Sequence, residues 1–199
     1  MHGQRMTASV WVEGLGRSLQ HALDLLESGV RDCSDALWEA SMWPVPEPEP
    51  GRPFLGIDWL AVTDTTQRRS LAERWVARWS TPWSVAWHAL EVLDYDLNGE
   101  FSPWSAPPPF TGHPHWRDLP SVPRAWSRSE LRSYIEYCRE RVRVALASMT
   151  DEQAAKPLPS AHRFAGQPHA WVVQGLVGHT AEHAAQIRQF IASAGPDAS

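Results

Sequence analysis

The residues best suited to chemistry are two histidines near the carboxyl end of the chain. His179 and His183 stand four positions apart, and on a helix this spacing places both imidazoles on one side, close enough to bind one metal ion. Both fall on the apolar stripe of that helix, where a buried imidazole needs a metal or hydrogen-bond partners. The chain has nine histidines, so the pair alone leaves both interpretations open.

A third metal ligand would come from a facing helix, because metal sites in helical bundles are built from side chains that project inward from several helices. The segment around Leu90 offers His88, Glu91 and Asp94. With Leu90 as the centre of its apolar stripe, Asp94 lies about 40° away, Glu91 about 100° and His88 about 160°. Glu91 lies at the edge of the inward face, where a carboxylate could reach an ion, so we expect it to be the third ligand. The alternative is that Glu91 is a solvated residue on the flank of the helix. His88 should face mostly outward and is the less favoured alternative.

The string from His179 to His183 also matches H-x-x-E-H, a zinc-peptidase motif in which the glutamate acts as the base. That class needs a further carboxylate well downstream, and Asp197 is the one acidic residue after His183. Helical geometry also turns Glu182 away from both histidines, so we expect it at the surface. A peptidase is therefore disfavoured.

The remaining candidate residues are more simply explained by a structural role than by chemistry at a site. Histidines in loops are usually exposed, and we expect this of His113, His115, His162 and His169. Cys138 lies on an apolar stripe and should be a core residue rather than a nucleophile. Several tryptophans could line an apolar pocket, although packing is their first role: Trp87, Trp104, Trp116, Trp126 and Trp171.

The elements that position these residues are predicted to be helices. Prolines cluster in two segments, about 44–58 and 102–126, which cannot be regular helix. Between them, apolar residues recur at helical spacing and no segment alternates as a strand would. The chain should thus form one all-α domain, 1–199, folded as a four-helix bundle. The predicted helices cover Leu15 to Leu37, a short stretch from Asp64 to Trp79, Pro82 to Leu97, Ser127 to Met149, and Pro168 to Phe190.

Composition narrows the classes of partner. The net charge of −5 argues against binding to nucleic acid or anionic lipid. Two distant cysteines, Cys33 and Cys138, predict neither a disulfide framework nor a cysteine-rich zinc site, which fits a reducing cytoplasm. No run of residues is apolar and long enough to predict a membrane span or signal peptide.

Two longer motifs contain these candidate residues. One is the run His179-x-x-x-His183-x-x-Gln186-Ile187, ahead of Gly195. The other is Trp83-Ser84-Val85, followed by Glu91 eight positions after the tryptophan and by Asp94 three further on. Together they resemble the last and second helices of the DinB/YfiT-like metalloprotein superfamily. Asp94 matches the acidic residue of that pattern, but Glu91 stands where the family has a histidine ligand, so the sequence departs from the family at the first ligand.

The resemblance implies a four-helix bundle, often a homodimer, with three histidines that hold a divalent metal, usually zinc or nickel. It also implies thiol-dependent transferases or isomerases that use a low-molecular-weight thiol. Our leading hypothesis is a metal-dependent enzyme that acts on a small molecule by thiol transfer, isomerisation or hydrolysis. We expect the proline-rich loop 102–126 to cover its metal site. The competing hypothesis is a non-catalytic small-molecule-binding or dimeric interaction protein with a degenerate metal site.

Overall fold

The computed structural model describes residues 10–43, 66–67, 69–70, 79–97, 104–111, 124–160 and 162–194. Most of these residues are helical and none of them lies in a strand, so the all-α prediction is confirmed for the described part of the chain. Most of the helix predicted between Asp64 and Trp79 lies outside it, as do most of both proline-rich segments and the residues His113, His115 and Trp116. The helices are α1 (Val10–Asp32), α2 (Asp35–Trp38), α3 (Pro82–Leu97), α4 (Arg128–Ser148), α5 (Asp151–Ala155) and α6 (His169–Ala194).

The four long helices pack so that each contacts at least two others. Helices α1 and α3 both pack on α4 and on α6, and they touch each other only slightly. Helix α3 is the most enclosed, since every one of its residues except His88 and Tyr95 is buried. Its apolar residues, among them Trp87, Leu90 and Leu93, belong to one core shared with the other long helices. Burial of these side chains stabilises the fold by roughly 1.5–3 kcal/mol each.

The first helix ends five residues earlier than its apolar stripe predicts, at Asp32 instead of Leu37. Leu19, Leu26 and Val30 are buried as expected, but α1 ends at Asp32 and a separate turn, α2, begins after Ser34. Ser34 has an extended backbone, with φ −72° and ψ 165°. Serine and aspartate favour helix ends over helix interiors because their side chains compete for backbone hydrogen bonds. The apolar stripe therefore continues from α1 into α2 although the helix is interrupted between them.

Helix α4 begins at the capping box that its sequence predicts. The Ser127 hydroxyl accepts a hydrogen bond from the Glu130 backbone N–H, and the Glu130 carboxylate accepts one from the Ser127 N–H. Arg124 also donates to this carboxylate, at 2.8 Å. The hydrogen bond from Arg124 and those from Ser127 lower the pKa of Glu130 to about 2.

The Glu130→Gln variant should show how much of this cap depends on charge. Because the folded-state pKa lies below the ordinary value of 4.5, the stabilisation is complete above pH 4.5 and is lost as the pH falls towards 2. We expect the variant to lower the free energy of unfolding by about 0.5–1 kcal/mol at pH 7, given partial solvent screening. Urea unfolding at a series of pH values measures the free energy of unfolding of the variant and of the native chain. The difference between the two should disappear at low pH.

Glu136→Gln, on an exposed turn of the same helix, is the matched control. Its effect should stay within about 0.5 kcal/mol. A Glu130→Gln difference that persists unchanged down to pH 2 would contradict the assigned role of the carboxylate.

Candidate metal centre

Three histidines from two helices meet at one point between α3 and α6. Nε2 of His179 lies 3.3 Å from Nε2 of His88 and 3.2 Å from Nε2 of His183. One ring nitrogen from each residue lies within 4.8 Å of the other two, and each residue is half-buried. Among the described residues these three form the one group of this size that could hold a metal ion.

The spacing of the nitrogens fits a metal site. In a tetrahedral zinc site with Zn–N distances of about 2.05 Å, the ligand nitrogens lie roughly 3.3 Å apart. The two measured separations, 3.3 and 3.2 Å, agree with that value. Imidazole nitrogens suit zinc, nickel, copper and iron. The donor set therefore fits a divalent transition metal.

Hydrogen bonding between the imidazoles explains the cluster less well. Oε1 of Gln186 accepts a hydrogen bond from Nδ1 of His183 at 2.9 Å, so the proton of neutral His183 is on Nδ1 and its Nε2 carries a lone pair. Nε2 of His179 faces two neighbouring nitrogens but has at most one proton to donate. A metal ion accepts lone pairs from all three nitrogens at once.

Burial keeps the imidazoles of His179 and His183 uncharged. The pKa of His179 is lowered to about 3, first by burial and then by His183 and Arg163. Burial also lowers the pKa of His183, against opposing contributions from Gln186 and Glu182. The neutral imidazole is the form that ligates metals.

The histidine on α3 is the one that the helical angles had placed outward. His88 lies against α6 and shows only 15% of its side chain, so the expectation that it faces outward is wrong. Leu90 faces α4, where its carbonyl is 3.8 Å from Sγ of Cys138. Because α3 is buried on both its α4 and its α6 side, the face opposite the apolar stripe is still interior.

Glu91 lies beside the cluster rather than within it. Its side chain is fully buried, and its Oε2 is 4.0 Å from Nδ1 of His88. The structure thus groups His88 with His179 and His183, which reverses the order of preference between Glu91 and His88. In metal sites, the second ring nitrogen of a ligating histidine usually faces a carboxylate or carbonyl oxygen. Glu91 for His88 and Gln186 for His183 occupy such positions.

Three other predictions concern residues outside the histidine cluster. Glu182 is exposed, as expected. Cys138 is fully buried, and burial raises the pKa of its thiol well above its ordinary value, as expected for a core residue. The tryptophans differ in burial: Trp87 is fully buried, as expected for a packing residue, whereas Trp171 is 51% exposed.

A second polar cluster, which sequence reasoning missed, lies at the carboxyl end of α3. His162 and His169 were expected to be exposed, but they are 5% and 9% exposed. Oδ1 of Asp96 accepts a hydrogen bond from Nε2 of His162 at 3.0 Å, and Oδ2 accepts one from Arg163 at 2.8 Å. The Asp96 carbonyl accepts a third from Nε2 of His169 at 3.0 Å. The cluster fastens the loop before α6, and the start of α6, to α3.

Asp94 makes a comparable set of contacts on the α4 side. Its carboxylate accepts hydrogen bonds from Arg141 at 3.1 Å, Trp104 at 3.0 Å and Tyr134 at 3.4 Å. Burial raises the pKa of Asp94, while these donors lower it in part. Asp94 is thus committed to the packing of α3 against α4 and lies away from the three histidines.

Comparisons with known proteins add no relative. Neither the family models, nor the curated proteins, nor the solved structures include one that matches this chain. No helix in the described part of the chain is both long and apolar enough to cross a membrane.

Proposed function

We propose that this chain is a divalent-metal-dependent enzyme of the DinB-like, four-helix-bundle type that acts on a small molecule. The observation that carries the proposal is the meeting of three Nε2 atoms, with neighbouring separations of 3.3 and 3.2 Å. The packing of four long helices around one core supports the bundle. Zinc and nickel are the metals that the family resemblance favours.

Each residue of the site has a distinct task. His88, His179 and His183 would hold the metal. Glu91 would orient the ring of His88, and Gln186 fixes the ring of His183 by its hydrogen bond at 2.9 Å. Three protein ligands leave at least one coordination position for water or substrate. A bound ion would supply Lewis-acid chemistry, which suits hydrolysis, isomerisation or transfer of a thiol.

Metal titration of the full chain tests this proposal. After treatment with a chelator, the protein should bind one Co²⁺ or Zn²⁺ per chain and melt at a higher temperature when loaded. The His179→Ala/His183→Ala double variant should bind none. His21→Ala, which removes an exposed histidine of α1, is the matched control and should bind as the native chain does.

An open coordination position is the second requirement of an enzyme. Azide added to the Co²⁺ form should alter its visible absorption bands, because it can occupy that position. Failure to bind stoichiometric metal would overturn the metal site. Metal binding with absorption bands that do not respond to azide would overturn catalysis and favour the non-catalytic binding protein.

A further inference from the structure

A small cavity adjoins the candidate metal centre. It has a volume of about 120 Å³ and lies between the loop that precedes α6 and the first turns of α6. The residues that line it include His179, Asp96, Arg163, Phe164, Trp171 and Gly175. For comparison, a cavity of about 150 Å³ lined by apolar side chains holds a benzene molecule. The space therefore suits a ligand of only a few heavy atoms.

The loop holds Arg163 in a fixed place at this cavity. The Leu158 N–H donates to the Gln167 carbonyl at 2.9 Å, and the Gly166 N–H donates to the Leu158 carbonyl at 3.0 Å. Gly166 has a positive φ of 81°, which glycine adopts without strain. These contacts close the loop on itself, and Asp96 anchors its arginine to α3 at 2.8 Å.

Arg163 retains most of its capacity to donate hydrogen bonds. A guanidinium group has five N–H donors, and among the described residues Arg163 uses one of them, towards Asp96. Its side chain is 39% exposed, so it reaches both the buried carboxylate and the cavity. An anion with two oxygens is the partner that the free edge of a guanidinium group binds best.

Aromatic rings line the same cavity. The Arg163 guanidinium lies 4.9 Å from the centre of the Phe164 ring, and the rings of Phe164 and Trp171 meet edge to face at 5.3 Å. Both rings are partly exposed, at 37% and 51%. An apolar body attached to the anion would find contact surface there.

We infer that this cavity is the substrate subsite of the metal centre, that its ligand is a small organic acid, and that Arg163 binds the carboxylate. The inference rests on the proposed function, because it places the ligand against His179. Arg163 and the metal would then hold two parts of one molecule, the carboxylate and the reacting group. Asp96 acts as a positioning residue for Arg163.

Propionate and its neutral counterpart propionamide have only a few heavy atoms and are suitable probes for the full, Co²⁺-loaded chain. Calorimetry measures their affinity, and the visible bands of Co²⁺ show whether either ligand reaches the metal. A charge-assisted hydrogen bond contributes about 1.5–3 kcal/mol, so propionate should bind roughly 10- to 100-fold more tightly than propionamide. Propionate should also shift the Co²⁺ bands, and Arg163→Gln should remove its advantage.

A second variant leaves Arg163 and Asp96 intact. A Cβ added at Gly175 meets no atom within 4 Å, so Gly175→Leu fills the cavity without a backbone clash and should abolish propionate binding. Gly178→Leu is the matched control. Gly178 is equally open but lines a different groove, between α1 and α6, and its replacement should leave propionate binding unchanged.

The outcomes separate the two proposals. If Co²⁺ binds but propionate shows no advantage over propionamide, leaves the bands unchanged, or binds equally well to Gly175→Leu, the subsite is wrong and the metal site stands. If Co²⁺ does not bind, the proposed function fails. The subsite of a metal centre fails with it, and titration of the metal-free chain with propionate shows whether Arg163 still binds an acid.

Discussion

Replacing His88 by alanine is expected to weaken zinc binding by roughly 10²- to 10³-fold, if each ligand of a bound zinc contributes about 3–4 kcal/mol. Glu91→Gln should cost less, at most about 10- to 100-fold, because a residue that orients a ligand matters less than the ligand itself. The reason is positional: Nε2 of His88 is 3.3 Å from Nε2 of His179, whereas Glu91 faces the opposite ring nitrogen of His88. Competition with a chromophoric zinc chelator measures both constants.

This comparison decides between the two candidates for the third ligand. The melting temperature and far-ultraviolet circular dichroism of both metal-free variants serve as the control for folding. If Glu91→Gln loses far more affinity than His88→Ala, then the carboxylate is the ligand and the arrangement of imidazoles in the structure is not that of the metal-bound protein.

Asp96→Ala is expected to lower the free energy of unfolding by about 2–4 kcal/mol. Removing one member of a buried charge pair costs about 3–5 kcal/mol because its partner stays buried without compensation, and the partial exposure of Arg163 reduces that cost. His162, buried against the Asp96 carboxylate at 3.0 Å, would also lose its acceptor. Urea unfolding of the metal-free chain, monitored by circular dichroism, gives the value.

An exposed aspartate provides the comparison. Asp32, at the end of α1, pairs with Arg31 at the surface, and Asp32→Ala should change stability by no more than about 1 kcal/mol. A loss for Asp96→Ala that is no larger than the loss for Asp32→Ala would show that the buried cluster does not hold the loop to α3.

Local signals in the sequence were sufficient to predict most of the helices. Helix α3 begins at Pro82 as predicted, and the Ser127–Glu130 capping box begins α4. These signals act within a single turn, so they can be read without knowledge of the fold. At Ser34 the backbone is extended, so the helical segment is interrupted between Asp32 and Asp35 although the apolar stripe continues to Leu37.

The pair His179 and His183 could be predicted because both residues lie on one helix. The third member could not, because its position depends on which helices pack on which side of α3. The angular argument assumed one inward face centred on Leu90, but α3 packs on α4 with that face and on α6 with the side that carries His88. Only the tertiary arrangement reveals a helix with two buried sides.

The Asp96 cluster could not be predicted from the sequence for the same reason. Its hydrogen bonds join residues 66 to 73 positions apart in the chain, and neither spacing nor composition links them. Without contacts, a histidine in a loop is best predicted to be exposed. Here the loop folds back over α3, and His162 and His169 are buried by the carboxylate and carbonyl that they contact.

The most direct test of the metal centre is anomalous diffraction at the zinc edge from crystals of the zinc-loaded chain. The account predicts one strong anomalous peak per chain, bonded to Nε2 of His88, His179 and His183 at about 2.0–2.1 Å, with a further position open to solvent. A peak ligated by Glu91 in place of His88, or no peak near the three imidazoles, would contradict it.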